Sequence, residues 1–292
     1  YRVSPDKPLC VHSKDYNLDG QIDPIASYYL DSERYPVQSR DHLIRQIPGM
    51  VARFQDYESY ASARFDEVLA PEEREGAQVL CSERFVSSYM ENLGDGKFRV
   101  RALPTEAQMA PLFGMQVGDY NGDGHLDAAL VGNSYAPEPG TGRYDALIGL
   151  LLRGDGQGGF DVVDVSRSGF FVDGDAKGLI QLPLRSGHRL LVASRNNGPL
   201  EALVDRRSSG RKWLAAEPDD AYALIHRGDG QTEKREFYYG TGYLSGSARG
   251  LWLDPTVTAV SMVDYRGNRR KVALPAGERN SSVSTESFPR KR

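Results

Sequence analysis

A nine-residue pattern, Asp-x-Asn-x-Asp-Gly-x-x-Asp, occurs twice, at Asp15–Asp23 and at Asp119–Asp127. Few local sequences constrain a backbone as tightly. Alternating oxygen-bearing side chains converge only if the chain turns sharply, and glycine at the sixth position permits that turn. Each copy is followed by a short apolar run, Ile25 to Leu30 in one case and Ala128 to Val131 in the other. The residues after each loop therefore read as a strand, which makes the whole an internal repeat of loop-plus-strand units.

Hard divalent cations such as Ca²⁺ prefer six to eight oxygen ligands. The first loop offers Asp15, Asn17, Asp19, the Gln21 carbonyl and Asp23. The second offers Asp119, Asn121, Asp123, the His125 carbonyl and Asp127, with the His125 imidazole expected to face solvent. An EF-hand would need Glu at the twelfth position and a helix after it. Here the twelfth positions are Ala26 and Leu130, so an acidic ninth position closes each loop instead. The expectation is two structural Ca²⁺ sites; the competing reading is a polar turn satisfied by its own amides.

The rest of the chain supports an all-β protein. Thirty-one glycines and 10% aromatic residues are interleaved with short apolar runs among the 292 residues. Gly-Asp-Gly at 94–96, 154–156 and 228–230 separates such runs, as tight hairpins require. Gly154-x-Gly156-x-x-Gly159 also matches a dinucleotide fingerprint, but Phe160-Asp161-Val162-Val163 reads as a strand where that fingerprint needs a helix. Arg153-Gly154-Asp155 and Arg227-Gly228-Asp229 are explained by the same turns, which leaves only the arginines as extra.

One segment differs. Leu43, Ile47, Val51, Phe54, Ala61, Phe65 and Leu69 recur at helical spacings. The spacing predicts a helical insert over 38–75, with Pro48 opening its second helix and Pro71 closing it. The expected organisation is a first blade start with its loop (1–37), the insert (38–75), completion of the first blade (76–110) and a second blade with its loop (111–170). A third, degenerate blade (171–212), a C-terminal β domain (213–280) and a disordered tail (281–292) follow. Val79 to Tyr89 reads as one strand.

Composition excludes some functions. Thirty-six basic and 40 acidic side chains give a formal charge of −4, which argues against a phosphate-tracking nucleic-acid binder. No apolar run approaches the roughly 18–20 residues that span a bilayer. Two cysteines, Cys10 and Cys81, make neither a disulfide scaffold nor a zinc site; one disulfide and two buried thiols both fit. The five histidines, His12, His42, His125, His188 and His226, form no zinc-binding spacing, and no nucleophile elbow is present. No catalytic residue is nominated. Tyr238, Tyr239 and Tyr243 could stack on sugars, but ordinary strand packing is the simpler expectation. Arg143 and Asp145 follow a Pro/Gly-rich loop and read equally as ligand contacts or as a structural pair.

The two Asp-x-Asn-x-Asp-Gly-x-x-Asp loops match, position by position, the motif of the FG-GAP/VCBS family of calcium-binding β-propeller repeats, which the chain resembles. Gly132-Asn133-Ser134-Tyr135, Gly142-Arg143-Tyr144-Asp145-Ala146 and Ser194-Arg195-Asn196-Asn197-Gly198 narrow the likeness. They resemble bacterial relatives of cartilage acidic protein that carry a C-terminal ASPIC/UnbV-type segment. The resemblance implies a partial β-propeller, with an inserted helical segment and a C-terminal β domain, from a secreted, cell-surface or outer-membrane-associated or periplasmic protein. Its implied function is non-catalytic: binding a protein or glycan partner, or assembling a larger cell-envelope complex. The alternative is a calcium-dependent polysaccharide lyase or hydrolase on the same scaffold. The chain starts at Tyr1-Arg2-Val3 and supplies only about three blades, so the expectation is the C-terminal portion of a longer protein whose N-terminal blades complete the ring.

Overall fold

The structure, a computed structural model, describes residues 1–206 and 211–274. The chain divides into two compact units at Val86/Ser87. The predicted tail at 281–292 lies outside the described residues.

The first unit holds β1 (Leu9–Lys14), β2 (Asp23–Leu30), β3 (Glu33–Pro36), α1 (Arg40–Gln46), α2 (Met50–Arg53), α3 (Tyr57–Ala61), α4 (Phe65–Val68) and β4 (Gln78–Ser82). Its antiparallel sheet runs β3-β2-β1-β4. β4 therefore returns after the helices and pairs with the free edge of β1, where Cys81 lies opposite Cys10 and the two form a disulfide. That settles the open reading of the cysteines.

The helical segment consists of four short helices, each with its own start. Ser39 caps α1 by accepting from the His42 amide, and Asp56 caps α3 by accepting from the Ser59 amide. Gly49, just after Pro48, precedes α2. Leu43, Ile47, Phe54, Phe65 and Leu69 form the core as the spacing predicted, together with Ile25 from β2. Val51 and Ala61 are exposed instead, and Met50 and Tyr60 are buried in their stead. Each new cap resets the helical phase, so one continuous period cannot describe all four helices.

The second unit opens with a hairpin of β5 (Ser88–Gly94) and β6 (Lys97–Ala102), followed by a 3₁₀ turn at Thr105–Gln108. The strand expected over Val79–Tyr89 is thus broken between the two units. Residues 76–110 split likewise: β4 completes the first sheet, whereas β5–β6 forms its own two-stranded sheet. That hairpin is held to the second unit by Tyr89, edge-on to Phe160 at 5.5 Å, and by Arg101, which donates to the Gln157 carbonyl at 2.8 Å.

β7 (Leu112–Gly118), β8 (Asp127–Gly132), β9 (Leu150–Gly154) and β10 (Phe160–Val163) form an antiparallel meander. The Gly154–Gly159 segment joins β9 to β10 as a hairpin, not a strand-to-helix turn. A short helix α5 (Val165–Ser168) leads to a three-stranded sheet of β11 (Ala176–Pro183), β12 (Arg189–Arg195) and β13 (Glu201–Asp205). These two sheets share a core of Ala129, Val131, Leu179, Leu191 and Ala193. Their backbones approach so closely at Gly114 that a Cβ there would lie 2.7 Å from the Leu179 nitrogen, which explains the glycine.

The remainder comprises β14 (Lys212–Ala215), β15 (Asp220–Arg227), β16 (Thr232–Glu236), β17 (Gly250–Leu253), β18 (Val257–Asp264) and β19 (Arg269–Val272). β14 pairs with β17, and a four-stranded sheet runs β16-β15-β18-β19 over a core that includes Ile225, Leu251, Val260 and Met262. The protein is thus mostly β, built from separate open antiparallel sheets with a small helical insert. Phe237, Tyr238 and Tyr239 follow β16 rather than extending it. Tyr238, Tyr239 and Tyr243 are all exposed, contrary to the strand packing expected of them. Among the described residues no helix is long and apolar enough to cross a membrane.

Candidate metal loops and the adjoining cleft

Both nine-residue loops join the first two strands of a sheet: β1 to β2 and β7 to β8. Their backbones follow one path. The fourth positions, Leu18 and Gly122, have φ of 61° and 89°, and the sixth positions, Gly20 and Gly124, have φ of 88° and 89°. Most of the hydrogen bonds repeat as well; the first carboxylate differs, accepting from the fifth- and sixth-position amides in one loop and from the fourth- and sixth-position amides in the other. The Asp15 carboxylate accepts from the amides of Asp19 (3.1 Å) and Gly20 (2.8 Å). Asp119 accepts from Gly122 (2.6 Å) and Gly124 (3.1 Å). Asn17 accepts from Asp19, and Asn121 from Asp123; Asp19 accepts from Gln21, and Asp123 from His125. The closing carboxylates reach back across the loop, Asp23 to the Tyr16 amide at 3.0 Å and Asp127 to the Tyr120 amide at 2.8 Å.

The ten predicted positions therefore fall into two conformational copies. Asp23 and Asp127 are buried; Asp19, Gln21, Asn121, Asp123 and His125 are exposed. Burial raises the Asp127 carboxyl above its ordinary value, its two amide donors oppose this, and the nearby Asp123 and Asp119 charges push it up further. His125 is exposed, as expected of its imidazole. It lies against the β9–β10 turn, where a Cβ on Gly156 would come within 2.4 Å of its Nδ1.

Among the described residues, no three His, Cys, Asp or Glu side chains converge as a ready-made metal cage. The carboxylates are turned instead into the loops' own amides. The donor chemistry still fits a hard divalent cation: every side chain nominated as a ligand brings an oxygen, and the crowded charges of the second loop favour a counter-cation.

The loops differ in one respect. Arg211 donates to the Asp119 carboxylate at 2.7 Å and also to the Asp119 carbonyl. The first loop instead has Asn17 donating to the Gln46 carbonyl at 2.9 Å, which ties it to α1. Nothing local in the sequence signals the arginine, which lies 92 positions from its partner.

Asp119, His125 and Asp127 also line a cleft of about 1010 Å³ within the second unit. Its walls include Gln181, Arg189, Arg249 and Trp252, none of which sequence reasoning singled out. Arg189 is almost fully buried, with its guanidinium over the rings of Tyr120 (4.7 Å) and Trp252 (5.6 Å). Burial pushes the Tyr120 hydroxyl up to about 12.

Other motifs have structural partners. Arg153 pairs with Asp161 at 2.7 Å, and Arg227 with Asp254 at 2.6 Å and Glu233 at 3.1 Å, so both Arg-Gly-Asp arginines are held within the protein. Asn133 and Asn196 come together around residues 174–177: Asn133 donates to the Gly174 carbonyl, Asn196 to the Asp175 carboxylate, and Lys177 to the Asn133 carbonyl. Arg143 lies over the Tyr135 ring at 4.8 Å. No protein-family model matches the sequence, and no curated protein matches it.

Proposed function

We propose that the chain is a non-catalytic, calcium-binding propeller-type module of the FG-GAP/VCBS kind, from a secreted or cell-envelope protein, that binds a protein or glycan partner. The observation that carries this reading is that two distant loops share the positive φ at their fourth and sixth positions and most of their hydrogen bonds. A polar turn needs no such duplication, whereas two sites for one ion do. The β7–β10 meander, with its loop at the first strand connection, has the strand order of a propeller blade. The Cys10–Cys81 disulfide suits an oxidising compartment.

Calcium would be held by Asp15, Asn17, Asp19, the Gln21 carbonyl and Asp23 in one loop. Asp119, Asn121, Asp123, the His125 carbonyl and Asp127 would hold it in the other. Bound there, it would neutralise the clustered carboxylates. The second loop lines the cleft, so its order would fix part of one wall there. A thermal melt in Ca²⁺ and then in excess EGTA, with metal analysis, tests the proposal. A Ca²⁺-dependent rise in Tm with two metals per chain supports it. No shift and no bound metal overturn it.

A further inference from the structure

β4 is an edge strand that buries little of itself. Among the described residues its only sheet neighbour is β1, and Gln78, Val79, Leu80 and Cys81 are all exposed, Leu80 by 64%. None of them belongs to the core that the helices build with Ile25. A strand in that position is retained by main-chain hydrogen bonds along one side and by any cross-link it carries. Here the cross-link is the Cys10–Cys81 bond, between residues directly opposite each other in the β1–β4 register.

The two ends of that bond differ. Cys10 is buried on β1, between β2 and β4, whereas Cys81 is exposed on the edge. Thiol–disulfide exchange begins with a thiolate attacking whichever sulfur it can reach, and exposed disulfides are the labile ones. The chain on either side of β4 is secured separately. Lys14 donates to the Glu73 carbonyl at 3.0 Å and to the Glu75 carbonyl at 2.8 Å, and Arg53 pairs with Glu73 at 2.6 Å. β1 keeps its ladder with β2 on its other side. After β4, residues 83–86 lead directly to the second unit. Opening the bond would therefore free a short segment without dismantling the insert, and that segment is part of the covalent connection between the two units.

We propose that Cys10–Cys81 is an exchangeable redox latch: a dithiol reductant attacks Cys81, β4 leaves β1, and the connection between the units lengthens from residues 83–86 to residues 78–86. In the first step the attacking thiolate forms an S–S bond with Cys81 while the Cys10–Cys81 bond breaks, and Cys10 departs as a thiolate that takes up a proton. The reductant's second thiol then displaces Cys81. The reductant leaves as a disulfide, two electrons pass to the protein, and both cysteines end as thiols. Reoxidation reverses the sequence and returns β4 to the sheet.

The test uses the full chain at neutral pH and reads three things. Dithiothreitol should reduce the native bond at a rate within about tenfold of that in denaturant, because access rather than unfolding limits it. Reduced glutathione, quenched early with N-ethylmaleimide and mapped by mass spectrometry, should place glutathione on Cys81 and maleimide on Cys10. Hydrogen exchange on the reduced protein should speed up at the amides of residues 78–82 by about tenfold or more, while β2 and α1–α4 keep their protection, and reoxidation should restore the slow rates. Slower native reduction than this, or glutathione found on Cys10, overturns the proposed attack. Unchanged exchange at 78–82 after reduction shows that β4 stays paired, and loss of protection throughout the first unit makes the bond a staple of the whole unit; either overturns the latch.

Discussion

Arg211 holds the Asp119 carboxylate at 2.7 Å, placing a fixed positive charge on the first position of the second loop. The corresponding Asp15 accepts only from loop amides in the hydrogen bonds described above. A guanidinium there competes with a cation for the same oxygens. Arg211→Ala should therefore tighten calcium binding at the second loop, by about threefold to tenfold for a partly screened charge. Calorimetry on a background with the first loop disabled by Asp15→Asn and Asp19→Asn reads this directly. Unchanged or weaker binding would make Arg211 a support rather than a competitor.

The Cys10–Cys81 bond closes a 71-residue separation across the helical insert. Chain-entropy reasoning for a loop of that size gives about 4 kcal/mol of stabilisation. Paired Cys10→Ser and Cys81→Ser substitutions, or reduction, should lower the denaturant midpoint of the first unit. An unchanged midpoint would mean that the β1–β4 pairing holds without the bond.

Leu18 occupies the left-handed region at φ 61° and is 86% exposed, while the same position in the second loop is Gly122. A leucine gains nothing there in burial and bears the steric cost of that conformation. Leu18→Gly should stabilise the protein by about 0.5–1 kcal/mol after the entropy cost of glycine. Gly122→Ala should destabilise it. Thermal melts at fixed calcium check both signs.

His12 is 5% exposed, packs against the Phe65 ring at 4.8 Å, and neither ring nitrogen has a hydrogen-bond partner among the described residues. Burial, reinforced by the Arg34 and Arg74 cations and opposed by Asp66, lowers its pKa from 6.5 to about 4. The folded state thus prefers neutral imidazole, and the unfolded chain binds the proton first. Its contribution is complete above pH 6.5 and is lost as pH falls through 4. The loss amounts to about 3 kcal/mol at most. His12→Leu should flatten that part of the stability–pH curve, measured by denaturant titration between pH 7 and 4. A slope that survives the substitution would assign it to other groups.

What was legible in the sequence was what contiguous residues decide among themselves. The bonds that shape Asp15–Asp23 and Asp119–Asp127 run mostly between residues two to seven positions apart, so the pattern alone specified both turns and their shared geometry. The Gly-Asp-Gly hairpin at 154–156 and the helical segment after Ser39 are local in the same sense. Periodicity failed only where a new cap reset it, as at Met50 and Tyr60. Partners far along the chain were decided by tertiary structure. β4 passes over the insert to pair with β1, Arg211 reaches Asp119, and Gln181, Arg249 and Trp252 come to line one cleft. The reason is physical: a turn is chosen by hydrogen bonds its own residues can make, whereas the edge a strand joins is chosen by which apolar faces bury together, and that sum runs over the whole chain.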